Sequence, residues 1–322
     1  NLHHVCRIGS AAEGNEEDGR RCADYIVELF VKLSQDEIFR VRKACAESIV
    51  EMSRAVPDST YRYNGLGPVM MKLLGDTSRL VRQSALQHLG PLISTIEISS
   101  TSADATDKIA KEENSDTSCL KNLPPISSSP FPSELITDLV SHYVAMSSDE
   151  TGDVAIDADL RLHCAFSFPA VFLTVGKNGW GLLRECYINL SRDEITAVRR
   201  CMACSVHEVA RILGPVLVES ELLGIFEGMV HDSVEAVRIG AVRNLNKFLA
   251  ILPRKIRVRY IPLLREIFVE SSPMNWRLRD HVARQLPEIT RLFDVGAVAS
   301  DLAPLAFSLL DDAVSEVRAS AF

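Results

Sequence analysis

Asp36 to Met52 reads DEIFRVRKACAESIVEM, and this stretch decides the fold. Counted from Val41, the small or apolar side chains Ala44, Cys45, Ser48, Ile49 and Met52 fall at +3, +4, +7, +8 and +11. That is the stripe of an amphipathic helix. Upstream, Ile26, Leu29, Phe30 and Leu33 keep the same helical period. The unit predicted is a helix, a short turn carrying Asp36, and a second helix.

The unit recurs. Aligned on Arg42, its relatives centre on Arg82, Arg161, Arg199, Arg238, Arg279 and Arg318, in steps of 40, 79, 38, 39, 41 and 39. The residue before each arginine is always aliphatic: Val41, Val81, Leu160, Val198, Val237, Leu278 and Val317. Four beyond that position stand Cys45, Ala85, Cys164, Met202, Ala241, Val282 and Ala321, and eight beyond it Ile49, Leu89, Phe168, Val206, Leu245 and Leu286. A period near 40 with two helices per unit predicts an all-α HEAT-repeat solenoid of about seven helical hairpins. A lone hairpin cannot bury both faces, so neighbours stack and share one core.

Five copies carry aspartate six residues before the arginine: Asp36, Asp76, Asp193, Asp232 and Asp312. Ala155 and Pro273 replace it in the other two. At the turn, the carboxylate is placed to cap the second helix. The arginines Arg42, Arg82, Arg199, Arg238 and Arg318 are placed to reach a neighbouring aspartate and form a ladder along the stack. Charges repeated in every unit of an array read as structure, not as catalysis.

Hydrophobic residues make up 47% of the 322, enough for a continuous core, and the net charge of −8 argues against general nucleic-acid binding. No run of 18 apolar residues is present, so no membrane span is expected. Eight cysteines without framework spacing, with Cys45 and Cys164 on core columns, read as reduced thiols of a cytoplasmic or nuclear protein. The single long step, from Arg82 to Arg161, exceeds one repeat by about 40 residues. The surplus is rich in Ser, Thr, Pro and charge, the composition of a disordered insertion. The expected division is thus N-terminal repeats over 1–97, the insertion over 98–131, and C-terminal repeats over 132–322. Ser129-Pro130 within the insertion is a candidate proline-directed phosphorylation site. Val5–Ile8 reads as the tail of a second helix and Phe322 follows Arg318 by four residues, so the chain reads as part of a longer array.

Candidate chemistry is sparse. Cys201, Cys204 and His207 lie on one predicted helix, which cannot wrap three ligands round a tetrahedral ion, so no metal site is expected. The basic run Arg254-Lys255-Ile256-Arg257-Val258-Arg259 is expected at a helix C-terminus, where cations offset the dipole. There is no Gly-rich phosphate loop, HxxxH pair or Gly-x-Ser-x-Gly, and the metal motifs of metallophosphatases are absent, so neither an enzyme nor a cofactor is expected. The turns offer more. Three residues before the arginine stand Phe39, Arg79, Glu235 and Trp276, among others, and such ridges are where solenoids receive partners.

Several stretches together resemble a known family. FRVRKACAES (Phe39–Ser48), DTSRLVRQSALQHLGPLIST (Asp76–Thr95), HCAFSFPAVFLTVG (His163–Gly176), SVHEVARILG (Ser205–Gly214), EAVRIGAV (Glu235–Val242) and NWRLRDHVARQL (Asn275–Leu286) are similar to the regulatory subunit 1 family of protein phosphatase 4. Those HEAT proteins are related to the scaffold subunit of phosphatase 2A. The resemblance implies a non-catalytic subunit that binds a serine/threonine phosphatase catalytic subunit on the turn ridge and directs it to phosphoprotein clients. Neither a nucleic-acid nor a membrane partner is expected, on the net charge and on the lack of a long apolar run. The rival readings are a HEAT-built nuclear-transport receptor and a general assembly scaffold.

Overall fold

The computed structural model describes residues 16–56, 62–96, 134–148, 158–267 and 275–322. Among them there is no strand, and no helix is long and apolar enough to cross a membrane. In chain order the helices are α1 (Glu16–Leu33), α2 (Phe39–Ala55), α3 (Gly67–Leu74), α4 (Arg79–Ile93), α5 (Glu134–Ala145), α6 (Ala158–Val175), α7 (Trp180–Ser191), α8 (Thr196–Leu217) and α9 (Leu223–Val230). They continue with α10 (Glu235–Val242), α11 (Leu245–Ile251), α12 (Arg254–Arg257), α13 (Ile261–Arg265), α14 (Trp276–Ala283), α15 (Leu286–Thr290), α16 (Val295–Ala297), α17 (Ala303–Leu310) and α18 (Ser315–Ala321). The protein is an all-α HEAT-like repeat chain.

The three apolar columns become the core. Cys45, Ala85, Cys164, Met202, Ala241 and Val282 are buried, as are Ile49, Leu89, Phe168, Val206, Leu245 and Leu286. In the column before the arginine, Val81 to Val317 are buried and Val41 is half-exposed.

Compact packing divides the chain into residues 1–184 and 185–322, at a point inside α7. The expected boundaries flanked the insertion, yet in the first unit α4 packs on both α5 and α6, joining the helices either side of it. The insertion itself, Ser129 within it, and the exceptional positions Ala155 and Pro273 lie outside the described residues. Gly90 permits the close approach: a Cβ there would stand 2.1 Å from Ser167 Oγ and 2.9 Å from Tyr143 Cε2. Tyr143 in turn donates its hydroxyl to the Cys164 carbonyl at 2.5 Å. Pro91 lies within α4, whose helical run continues to Ile93.

In the second unit α8 packs on α10, and α10 on α14. Two second helices are broken where periodicity predicts one run: α10 gives way to α11 at Arg243-Asn244, and α14 to α15 at Arg284-Gln285. Pro287, near the start of α15, has no N–H to continue a helix. The groups freed in the first break meet a side chain from the second. Gln285 donates Nε2 to the Val242 carbonyl at 2.8 Å and accepts the Asn246 N–H on Oε1 at 3.0 Å. Buried backbone groups need such partners.

Candidate functional site

The turns are built alike. Each aspartate accepts the N–H two residues on: Asp36 from Ile38, Asp76 from Ser78, Asp193 from Ile195, Asp232 from Val234 and Asp312 from Val314, all within 2.7–2.8 Å. Those N–H groups belong to the residue flanking the helix, and the expected cap onto the helix proper does not form at α2, α4, α8, α10 or α18. The aspartate closes an Asx turn one step earlier. The arginine locks the same turn from inside. Arg42 Nη1 donates to the carbonyls of Asp36 and Glu37 at 2.7 and 3.0 Å, and Arg199 to those of Asp193 and Glu194 at the same distances.

The other edge of the guanidinium faces the next repeat. Arg42 grips Asp76 through Nε and Nη2 at 2.6 and 2.9 Å. Arg199 holds Asp232 at 2.8 and 3.2 Å, and Arg279 holds Asp312 at 2.6 and 3.2 Å. Bidentate pairs of this kind are the stronger ion pairs. Arg82 and Arg238 lock their own turns in the same way but grip no carboxylate among the described residues.

The rungs set the acid response. The Arg42 guanidinium holds Asp76 below the usual carboxylate range, helped by the Ser78 N–H, against a desolvation that works upward. Arg199 and the Val234 N–H do the same for Asp232. At Asp312 desolvation pushes upward, but the Arg279 bond, the Val314 N–H and the charges of Arg279 and Arg318 outweigh it. A carboxylate whose folded pKa lies below its unfolded value, about 3.9, stabilises the fold above that value and ceases to as pH falls through the folded pKa. The stability of the wild type should therefore drop steeply below about pH 4. A triple Asp76→Asn, Asp232→Asn, Asp312→Asn variant, less stable at neutral pH, should show a shallower acid slope in urea titrations run from pH 6 to pH 3.

The four candidate contact residues each open a second helix. Phe39 begins α2 and is 37% exposed, beside Ile38 at 59%. Arg79 begins α4 and is exposed, followed by Leu80 at 49%. Glu235 begins α10 and Trp276 begins α14; both are half-buried, and the Trp276 ring lies under the Arg277 guanidinium at 4.7 Å. Ile38 and Leu80 were not singled out by the sequence reading, although they flank the turns as Phe39 does. A second surface escaped it too. On α6, Leu162, Phe166 and Leu173 are all exposed, Phe166 most of all at 78%. The corresponding positions of α2 hold Lys43, Glu47 and Arg54. The signal was there, in the apolar character of α6 on every side.

The remaining candidates are structural. Burial pushes the Cys201 thiol up to about 11. Among the described residues no cluster of three or more His, Cys, Asp or Glu is placed to hold an ion. The basic run opens a helix, α12, instead of closing one. Its Arg257 donates Nε and Nη2 to the carbonyls of Leu249 and Leu252 at 3.0 and 2.9 Å, and Nη1 to that of Leu292. Arg257→Ala should thus cost about 2 kcal/mol in urea unfolding, leaving three carbonyls short of a donor. Lys255→Ala, at an exposed position, should stay within about 0.5 kcal/mol.

Comparison with known proteins supplies the rest. Residues 164–267 match the family described as "Protein phosphatase 4 regulatory subunit 1 middle domain". Over 180 residues, 56% of this chain, the sequence is 38% identical to serine/threonine-protein phosphatase 4 regulatory subunit 1 of Homo sapiens and to that of Mus musculus. The aligned segment spans 19% of the length of those proteins. Among solved structures, a Kap121p mutant superposes with a TM-score of 0.50 at 15% identity, covering 98% of this chain and 36% of that one. An archaeal HEAT-like repeats protein from Thermococcus onnurineus NA1 gives 0.47 at 12% identity, covering 91% of this chain and 98% of that one. The relatives carry regulatory-subunit names, in keeping with a non-catalytic chain. By its motifs, by the family match and by identity to those relatives, this chain resembles regulatory subunit 1 of serine/threonine-protein phosphatase 4.

Proposed function

We propose that this chain is part of a non-catalytic regulatory subunit that binds a serine/threonine phosphatase catalytic subunit of the phosphatase 4 type and directs it to phosphoprotein clients. The observation that carries this reading is the 38% identity over 180 residues to phosphatase 4 regulatory subunits, joined to the family match over 164–267. The mechanism is positional. A stack of repeats holding an enzyme and a client together raises the local concentration of one near the other without altering the chemistry. The turns at Phe39, Arg79, Glu235 and Trp276 are the surfaces assigned to the enzyme, since large side chains that remain partly exposed there supply contact area that the core does not consume. The cytoplasm or nucleus is the compartment this role implies, with neither a nucleic acid nor a membrane as partner.

The test is co-purification of the chain with the catalytic subunits of phosphatase 4 and phosphatase 2A, each presented separately. Retention of the phosphatase 4 subunit is expected. Retention of neither would end the proposal.

A further inference from the structure

The second helices of the second unit carry cations that the ladder does not use. Past the turns, α8, α10, α11, α14 and α15 and the residues that flank them hold Arg200, Arg211, Arg243, Lys247, Arg284 and Arg291. Two of these are answered close by: Arg211 meets Glu208 at 3.2 Å, and Arg284 meets Asp280 at 3.1 Å. Arg200, Arg243, Lys247 and Arg291 are exposed and form no ion pair among the described residues. The matching stretches of α2 and α4 differ. There α2 pairs Lys43 with Glu47 and Arg54 with Glu51, and α4 has the neutral Gln83 and Gln87.

These cations share one surface. Arg200, Cys204, His207 and Arg211 fall at i, i+4, i+7 and i+11, a single stripe of α8. That helix packs on α10 and α11, while α10 packs on α14 and α11 on α15. Gly240 brings α10 close to α8: a Cβ there would stand 3.2 Å from Cys204 Sγ and 3.3 Å from the Arg200 carbonyl. Two half-buried histidines register the charges opposite them. Burial foremost, and the Lys247 charge with it, holds His207 below the usual imidazole range, against the pull of Glu208. Burial lowers His281 as well, with Arg243 and Arg284 adding to it against Asp280. Lys247 is thus close enough to act on α8, and Arg243 on α14.

We propose that this surface receives an acidic segment of a partner protein, an extended peptide whose Glu or Asp side chains reach Arg200, Arg243, Lys247 and Arg291. Charge complementarity selects it. Unpaired, exposed cations on adjoining helices set a positive local potential on a chain whose net charge is −8. Packed helices stand about 8–10 Å apart, so three of them span about 20 Å, the reach of about six extended residues. A nucleic acid is the poorer fit. Glu208 and Glu288 interrupt the cations, which a peptide accommodates by spacing its acids and a continuous phosphate backbone does not. Past the turns, no aromatic ring is exposed on these helices for bases to stack on. The surface does not depend on the phosphatase reading: Glu235 and Trp276, assigned there to the enzyme, begin α10 and α14, whereas these cations stand further along.

The experiment uses the whole chain and a fluorescein-labelled peptide of alternating glutamate and serine, about twelve residues long to leave ends beyond the contact, with binding read by anisotropy. Wild-type affinity should fall about tenfold between low salt and about 0.3 M sodium chloride, and the matching glutamine–serine peptide should not bind. A variant carrying Arg200→Gln, Arg243→Gln, Lys247→Gln and Arg291→Gln should bind the acidic peptide about tenfold more weakly than wild type. A control with Arg254→Gln, Lys255→Gln, Arg259→Gln and Arg265→Gln removes as many exposed cations from elsewhere in the same unit. It should stay within about twofold of wild type, the general effect of net charge alone. All eight positions are exposed, so both variants should keep the fold and melt within about 3 °C of wild type. No binding of the acidic peptide by wild type at low salt, equal losses in the two variants, or an oligouridine of the same length bound more tightly than the peptide would overturn the proposal.

Discussion

Phe248→Ala should cost about 3–5 kcal/mol, the largest single loss expected in the second unit. Phe248 and Phe226 are both fully buried and stack with ring centroids 4.1 Å apart and 22° between planes. Tyr260 meets Phe226 edge-on at 5.9 Å. Truncation removes the transfer energy of the ring and leaves a cavity that flanking helices cannot close, since α11 is held by α8 on one side and α15 on the other. Urea unfolding should show a lower midpoint with an unchanged slope, as befits a lost contact in an otherwise intact fold. Phe248→Leu, which keeps most of the volume, should lose much less. Equal losses for both substitutions would mean that the stacked pair does not anchor this unit.

Gly90→Ala tests the first unit in the opposite sense, by adding one carbon. In an unconstrained helix this change would stabilise by up to about 1 kcal/mol. Here the new methyl would lie 2.1 Å from Ser167 Oγ and 2.7 Å from Ser167 Cβ. The hydroxyl can rotate away, but the Cβ moves only with the backbone of α6. Overpacking of that kind costs about 1–3 kcal/mol and sometimes more, so packing outweighs propensity, and a net loss of about 2 kcal/mol is expected. Ser167→Gly added to the same chain should restore a good part of it, since it removes the obstructing atoms. A stabilised Gly90→Ala variant would show that α4 and α6 do not approach as described, and with that the direct joining of repeats on either side of the insertion would fall.

The repeat was legible because its evidence is columnar. Val81, Ala85 and Leu89 recur as Val198, Met202 and Val206, and a residue type repeated at fixed spacing through many copies needs no tertiary knowledge to be read as core. The Asp–Arg rungs were legible for the same reason. What could not be read depends on contacts between distant residues. Gln285 lies 43 positions from the Val242 carbonyl it satisfies, and nothing near Asn244 announces that a helix can break there at small cost. The exposed face of α6 left a trace, apolar residues on every side, that does not tell which of them stay uncovered. Periodicity reports which positions are apolar, whereas Phe166 is apolar and uncovered. The aspartate was placed at the right turn with the wrong partner, since a carboxylate before a helix can equally accept from the flanking residue or from the first turn. Of the candidate site, the turn positions were visible as departures from the columns: Phe39 and Trp276 stand where the repeat itself asks for nothing large.

The recurrent aspartates and arginines join successive repeats, which leaves recognition to the residues that depart from the pattern. A double-mutant cycle on Arg199 and Asp232 measures this directly. The two side chains are 15% and 12% exposed and meet through two bonds, so some solvent screening remains. Urea unfolding of wild type, Arg199→Gln, Asp232→Asn and the double variant should give a coupling energy of about 1–2 kcal/mol. A coupling within about 0.3 kcal/mol of zero would contradict the ladder.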